Sequence, residues 1–319
     1  MKTTDELKQL YESKLKPSLQ AIEAQRKKLL IKYVLSIGGI LVSFEAAFMW
    51  THIYPILFYI AVVVIITSVY HLLFVIRKQR KAYRISYKQN IVKAIVELIN
   101  PDWKYDSVGR INPKDYKNSQ LFSSLWDKYD GDDLVKGIIE KTDFELSELH
   151  TRYKTYSNDS DGGKKENWHT IFKGLFAHAE FNKDIKGRTF VLPEKANKNF
   201  KEHGVNKQND TKLVKLENPE FEKIFKVYST DQIESRYILT PAMMEAMVTI
   251  YRKFDKGVYF SFIGSRVYIA MSFTQDLFEP RILKSGVRFE DMEQMNDNFR
   301  LIQLVIHEMN LNTRIWTKT

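Results

Sequence analysis

The sequence predicts an α+β protein: an N-terminal two-helix transmembrane hairpin followed by a cytoplasmic domain with a largely antiparallel sheet and packed helices. Three observations predict it. Residues 33–76 form two apolar runs joined by the short link Thr51-His52-Ile53-Tyr54. Basic residues crowd both outer flanks of that hairpin, and none lies in the link. Beyond Pro101 the chain turns to runs of β-formers separated by polar turns, with Asn-Pro and Thr-Pro helix starts among them. Four segments are expected: an N-terminal amphipathic cytoplasmic helix over 1–28, the transmembrane hairpin over 29–76, a basic juxtamembrane helix over 77–100, and a soluble α+β domain over 101–319.

In the first segment Thr3 and Glu6 have the spacing of a capping box, and Leu7, Leu10 or Tyr11, Leu15, Leu19 and Ile22 recur at helical steps. Pro17 is expected to kink or interrupt that helix. The first span runs from Tyr33 to Trp50, or from Leu29 if Lys32 reaches the interface. The second, Pro55 to Ile76, has no formally charged side chain and holds fifteen Ile, Leu, Val or Phe residues. Each contributes roughly 0.3–0.6 kcal/mol toward insertion at mid-membrane. Arg26, Lys27, Lys28 and Lys32 precede the first span, and Arg77, Lys78, Arg80, Lys81 and Arg84 follow the second. The positive-inside rule then puts both termini in the cytoplasm, with Trp50 and Tyr54 at the outer interface. Glu45, the one intramembrane acid, lies near that interface, and Gly38 and Gly39 offer a close-packing face.

Charge and cysteine usage remove several function classes. The chain contains no cysteine, which excludes disulfides, thiolate metal sites and cysteine nucleophiles and fits a reducing compartment. Its net charge is +10, but residues 77–99 alone hold seven Lys and Arg against one acid, whereas 100–319 is nearly neutral. The basicity is a collar around the hairpin, suited to anionic lipid headgroups, and nucleic-acid binding loses its main support.

After the basic helix, Asn100-Pro101 is a stop signal. A short helix is expected over Ser119–Tyr129 and strands over Leu134–Lys141, Phe144–Tyr156, Trp168–Glu180 and Arg188–Leu192. Asn158–Asn167 reads as a polar loop, and the lysine-rich stretch Glu194–Thr211 as a mobile insertion. Asn218-Pro219 and Thr240-Pro241 start helices, and Gly264-Ser265 is expected to turn a hairpin between strands Val258–Ile263 and Val267–Phe273. The last helix, Phe289–Met309, places Met292, Met295, Phe299, Ile302, Ile306 and Met309 on one seam, suited to packing on the domain's own sheet.

No constellation carries a recognisable reaction. Asp127, Asp130, Asp132 and Asp133 lack calcium-loop spacing and read as a solvated turn. There is no Walker loop, dinucleotide fingerprint, nucleophile elbow or zinc motif, so no catalytic residue, metal or cofactor is expected. The polar residues that could serve a ligand are His178 and Glu180, on one face of a strand, and Asp231, Glu234 and Arg236 before Thr240-Pro241. Fixing the turn that leads into the helix is the plainer use of the latter three.

The two-span hairpin, Tyr129-Asp130-Gly131-Asp132-Asp133, Phe172-Lys173-Gly174-Leu175-Phe176, Phe181-Asn182-Lys183, and Phe225-Lys226-Val227-Tyr228-Ser229 leading to Pro241 together resemble a bacterial family catalogued as domain of unknown function 3137. The resemblance runs over nearly the whole chain and implies a bacterial plasma (inner) membrane protein with no assigned activity or site residues. It also implies a membrane assembly, with a LemA-like membrane protein as a partner. The expected function is a non-enzymatic, membrane-anchored scaffold or interaction module for a protein partner or a second copy. Two alternatives stand beside it: a membrane-tethered ligand-binding or hydrolytic domain, and an accessory subunit of a membrane transport assembly resting on Glu45.

Overall fold

The structure is a computed structural model describing residues 6, 8–9, 11–50, 55–122, 124–139, 142–158, 164–194, 210–254, 257–273, 277–283, 285 and 288–313. It divides into two compact units: Met1–Ile99 with Phe278–Asn296, and Asn100–Leu277 with Asp297–Thr319. The capping box at Thr3, the side chains of Leu7 and Leu10, the link 51–54 and the Phe181-Asn182-Lys183 side chains lie outside what is described.

The first unit is built on two long rods. Helix α1 spans Lys16–Trp50, so the expected N-terminal helix and the first span are one continuous helix. Pro17 does not interrupt it. It stands just after a wider π-type turn at Tyr11–Leu15, and that turn is where the helical ladder takes up the missing N–H. The second rod runs as α2 (Pro55–Tyr70), a π-type turn (His71–Ile76), α3 (Arg77–Tyr87), a second such turn (Lys88–Val92) and α4 (Lys93–Ile99). The two rods contain helices long and apolar enough to cross a membrane, over Leu19–Phe48 and Phe58–Ile99.

Small and polar groups form the seam between the two rods. Ser36 and His71 share a hydrogen bond of 2.8 Å, and Lys32 donates to Gln79 at 3.0 Å. A Cβ on Gly39 would stand 3.1 Å from Ser68 Oγ, so this glycine permits the close approach. Below the apolar stretch, Leu15, Leu19 and Ile22 are buried as their spacing predicts, together with Tyr83, Tyr87, Ile91 and Ile95. Helix α9 (Phe289–Thr313) gives Met292 and Met295 to this unit. Arg26 is buried here, chelating Glu23 and donating to the Ile282 carbonyl at 2.6 Å.

The second unit is a seven-stranded antiparallel sheet with helices packed on it. Its strands are β1 (Lys104–Asp106), β2 (Lys128–Ile139), β3 (Thr142–Asn158), β4 (Lys164–Pro193), β5 (Lys212–Val214), β6 (Phe225–Ser229) and β7 (Val258–Ser272). The order is β1-β2-β3-β4-β6-β5, with β7 also paired to β4. Strand β4 is the common element. It pairs β3 through its first half, β6 at its end, and β7 from Gly174 to Val191. Short helices α5 (Pro113–Asn118), α6 (Pro219–Ile224) and α7 (Gln232–Ile238) and the longer α8 (Pro241–Phe254) complete it.

Alternation along the strands fills two apolar faces. One carries Leu134, Leu149, Phe172, Phe176, Phe190 and Tyr268, plugged by Tyr116 and Leu121. Tyr116 packs against Phe122, Trp126, Tyr129 and Phe176 with ring centroids 5.1–5.6 Å apart. On the other face Phe225 meets Tyr251 and Phe260, and Trp103 meets Phe144 and Phe299. The predicted seam of α9 is buried at Met292, Met295, Phe299 and Ile306, while the side chains of Ile302 and Met309 are outside the described set.

Several expected elements differ. The helix expected over Ser119–Tyr129 is absent: α5 ends at Asn118, Gln120 takes a positive φ of 52°, and the chain runs irregularly into β2. Here the apolar side chains serve as a plug, and Ser261 Oγ donates to the Ser119 carbonyl at 2.7 Å. Asn112-Pro113 carries the same cap as Asn218-Pro219, its side chain accepting from Lys114 N at 2.9 Å, and starts the helix that stands there instead. Strand β2 begins at Lys128, so Asp130–Asp133 lie in a strand with a register shift rather than in a solvated turn. Asp133, at φ 58°, turns inward and accepts from the Tyr105 hydroxyl. The strands expected at 168–180 and 188–192 are one strand that also takes in Lys164–Asn167 of the expected loop; residues 159–163 of that loop are not described.

No hairpin forms at Gly264-Ser265. Strand β7 passes straight through, with Gly264 at φ 61°, because the extra residues Phe181–Asp184 on the β4 side absorb the bend between Glu180 and Ile185. Of the expected insertion, residues 195–209 are outside the described set; β5 follows it at Lys212. Phe225 directly follows α6 and opens β6.

Candidate functional site

Cross-strand register assembles one polar row on the Tyr116 face of the sheet. Lys136 stands opposite Glu145, Glu145 opposite His178, and His178 opposite Tyr268, spanning β2, β3, β4 and β7. Directly opposite residues share a face, so the four side chains form a line. It runs from solvent into the core. Lys136 Nζ reaches Glu145 Oε1 at 2.7 Å at the exposed end, while His178 is 6% exposed and Tyr268 3%. Two residues along β7, Arg266 pairs at 3.0 Å with Asp115 of α5.

His178 is the unusual member. Its Nε2 lies 3.8 Å from Glu145 Oε2, too far for a hydrogen bond, and has no other hydrogen-bond partner among the described residues. Burial holds the imidazole below its ordinary pKa, and Arg266 and Lys136 reinforce that; Asp115 and Glu145 push the other way. The folded ring is therefore neutral at pH 7. An imidazole this buried is not presented to a substrate, and Lys136–Glu145 is the bonded pair of the row, so the row does not form an open catalytic surface.

Because the folded pKa is lowered, the unfolded chain binds more protons as pH falls below the unfolded value, about 6.5. The contribution of this site to stability is full above that pH and is lost progressively below it. Thermal unfolding of the full chain in detergent should show a midpoint falling from pH 7 to pH 5, and His178→Gln should flatten that fall. An equally steep loss in the variant would assign the acid sensitivity elsewhere.

The other predicted polar residues serve a second place. Asp231 caps α7, accepting from the backbone N–H groups of Ile233 and Glu234 at 2.9 and 3.0 Å. Glu234 accepts from the successive N–H groups of Lys186 and Gly187 at 3.0 and 2.8 Å. Thr230 accepts from Arg188 N at 2.8 Å beside them. The Glu234 carboxylate thus fills the kind of backbone concavity in which other proteins hold anions. Arg236 donates to the carbonyls of Gln232 and Lys215.

Asp231, Glu234 and Arg236 therefore come together on α7, and His178 does not join them. Its β7 partner Tyr268 lies five residues from Ile263, the partner of Arg188, about 17 Å along the strand. Glu180 is exposed, opposite Arg266. Sequence reasoning missed Glu145, Lys136, Arg266 and Asp115. Strand register, which single-strand alternation does not specify, brings Glu145, Lys136 and Arg266 toward His178, and α5 brings Asp115 to Arg266. Glu45 is exposed on α1.

Fold and site define a class: an α+β unit following a pair of helices long and apolar enough to cross a membrane. Residues 170–311 match the family described as "Protein of unknown function (DUF3137)", the family that the sequence motifs resemble. The matched stretch contains Phe172–Phe176 and Phe225–Ser229. No curated protein matches the chain. A solved structure described as "crystal structure of the mycobacterial trehalose monomycolate transport factor A, TtfA" is similar with a TM-score of 0.34 and 12% identity, covering 66% of this chain and 92% of that one.

Proposed function

We propose that this protein is a non-enzymatic docking platform anchored in the bacterial plasma (inner) membrane, with both termini in the cytoplasm and anionic headgroups at its basic collar. The observation that carries the reading is an exposed apolar set at a sheet edge. Strand β5 ends the strand order, and Leu213 on it is 48% exposed. Arg236 of α7 bonds the Lys215 carbonyl just after β5, and on the same helix Ile233 and Tyr237, one turn apart, are 68% and 56% exposed. An extended segment of a protein partner fits there, adding main-chain bonds to β5 and apolar contacts to α7. A LemA-like membrane protein is the partner to test first. The hydrolytic alternative has less support, since His178 is buried and stands apart from the α7 group.

Tagged full-length protein purified from detergent-solubilised membranes should retain a stoichiometric partner. The double variant Ile233→Asp, Tyr237→Asp should lose it by about tenfold or more at equal membrane abundance, consistent with loss of two central apolar anchors. Equal recovery by the variant would remove the platform from this edge. A C-terminal reporter should be active only as a cytoplasmic fusion, and periplasmic activity would overturn the placement.

A further inference from the structure

The hairpin has two complementary polar groups that it cannot bring together by itself. Helix α1 packs on the second rod through Ser36, which bonds His71, and through Gly39, beside Ser68 and Val64 of α2, and Ser43 on the same side is buried. At 100° per residue, Gly38 and Glu45 lie about 130–150° around α1 from that seam, and Val42, about 90° from it, borders the same side. That side is open: a Cβ on Gly38 would meet nothing within 4 Å, Val42 is 66% exposed, and Glu45 is exposed. On α2 the buried seam residue is Ala61, and Tyr59, Val63 and Ile66 point the other way, 70%, 59% and 62% exposed. Neither Glu45 nor Tyr59 has a hydrogen bond among the described residues.

Their depths match. Ser36 faces His71 and Gly39 faces Ser68. Continuing that antiparallel step puts Glu45 level with Val62, and Tyr59 is three residues, roughly 4.5 Å, nearer the link. This is within reach of a tyrosine side chain. An acceptor on one outer face and a donor at its level on the opposite outer face diverge within one hairpin but meet between neighbours in a row.

We infer that the hairpin binds a second copy of itself head to tail, the Gly38–Glu45 face of α1 seating on the Tyr59–Ile66 face of the next copy's α2. The Tyr59 hydroxyl donates to a Glu45 carboxyl oxygen, a contact held near the interface, and Gly38 lets the backbones approach. The contact uses two different surfaces, so repetition closes into a ring where the rotation allows it. This inference rests on the hairpin crossing a bilayer.

The chain has no cysteine, which makes disulfide mapping direct. Full-length Val42→Cys and Ile66→Cys chains with different tags are co-expressed and oxidised in native membranes. A mixed 42–66 dimer is expected, reduced about three- to tenfold when Glu45→Ala or Tyr59→Phe is added. Glu45→Gln, whose amide oxygen still accepts, should retain it. No mixed dimer, 42–42 dimers alone, or a mixed dimer indifferent to both substitutions would overturn the inference. Alkaline extraction separates the two failures: retention in the membrane pellet without cross-linking leaves the anchor standing, whereas release into the supernatant removes the anchor reading itself.

Discussion

Gly174→Ala is expected to prevent the second unit from folding. Gly174 sits on β4 with β3 on one side and β7 on the other, opposite Leu149 and Ser272, at a φ of 154°. A Cβ there would stand 1.9 Å from the Met271 carbonyl oxygen and 2.8 Å from its carbon. Both are backbone atoms of a buried strand, so no rotamer change relieves the overlap, and β7 must move away from β4. The cost is about 4 kcal/mol or more, comparable to the whole stability of many domains. Gly264→Ala is the control. Its φ of 61° disfavours a side chain, but a Cβ would meet nothing within 4 Å, so the cost is about 1 kcal/mol. The check is the yield and protease resistance of full-length protein in detergent: native-like resistance of Gly174→Ala would contradict the strand arrangement.

Tyr116→Ala should be the most damaging truncation of the plug, at about 3–5 kcal/mol. The ring stacks on Phe122 at 5.1 Å and meets Trp126, Tyr129 and Phe176 edge-on or tilted. Removing it opens a cavity that the surrounding strands cannot close. Its hydroxyl makes a buried hydrogen bond of 2.9 Å with Thr151. Tyr116→Phe keeps the packing and leaves the threonine unsatisfied, costing about 1–2 kcal/mol. Denaturant unfolding followed by tryptophan fluorescence separates the variants, because Trp126 is 5.4 Å away. Equal midpoints for the two variants would mean that the ring is not what holds α5 on the sheet.

These two residues also mark the limits of sequence legibility. The paired apolar helices were plain from uninterrupted hydrophobic runs and flanking charge, and the β content from alternation between Phe144 and Tyr156. Helix starts at Pro219 and Pro241 were plain from their caps. Gly174 was visible within a family motif, but its reason was not, because the carbonyl it accommodates lies 97 residues away on β7. The aromatic run around Phe122 and Trp126 read as helix because a plug has no periodicity of its own; the sheet beneath it decides which side chains turn inward. For the same reason the Glu145–His178 row stayed hidden, while Asp231 could be read locally as a cap and is one.

Strand β4 carries a consequence for the order in which the chain is made. Its pairing with β3 closes within a few tens of residues and forms early, since short loops close at little entropic cost. The opposite edge, from Gly174 to Val191, is completed only by β7, which begins at Val258. During synthesis that edge, flanked by Phe176 and Phe190, stays bare while the next seventy or so residues emerge. By then the two apolar helices have long since left the ribosome, so, on the anchor proposed above, a nascent chain held at a membrane would keep its open edge away from others in solution. Tethering would then protect assembly as well as set location.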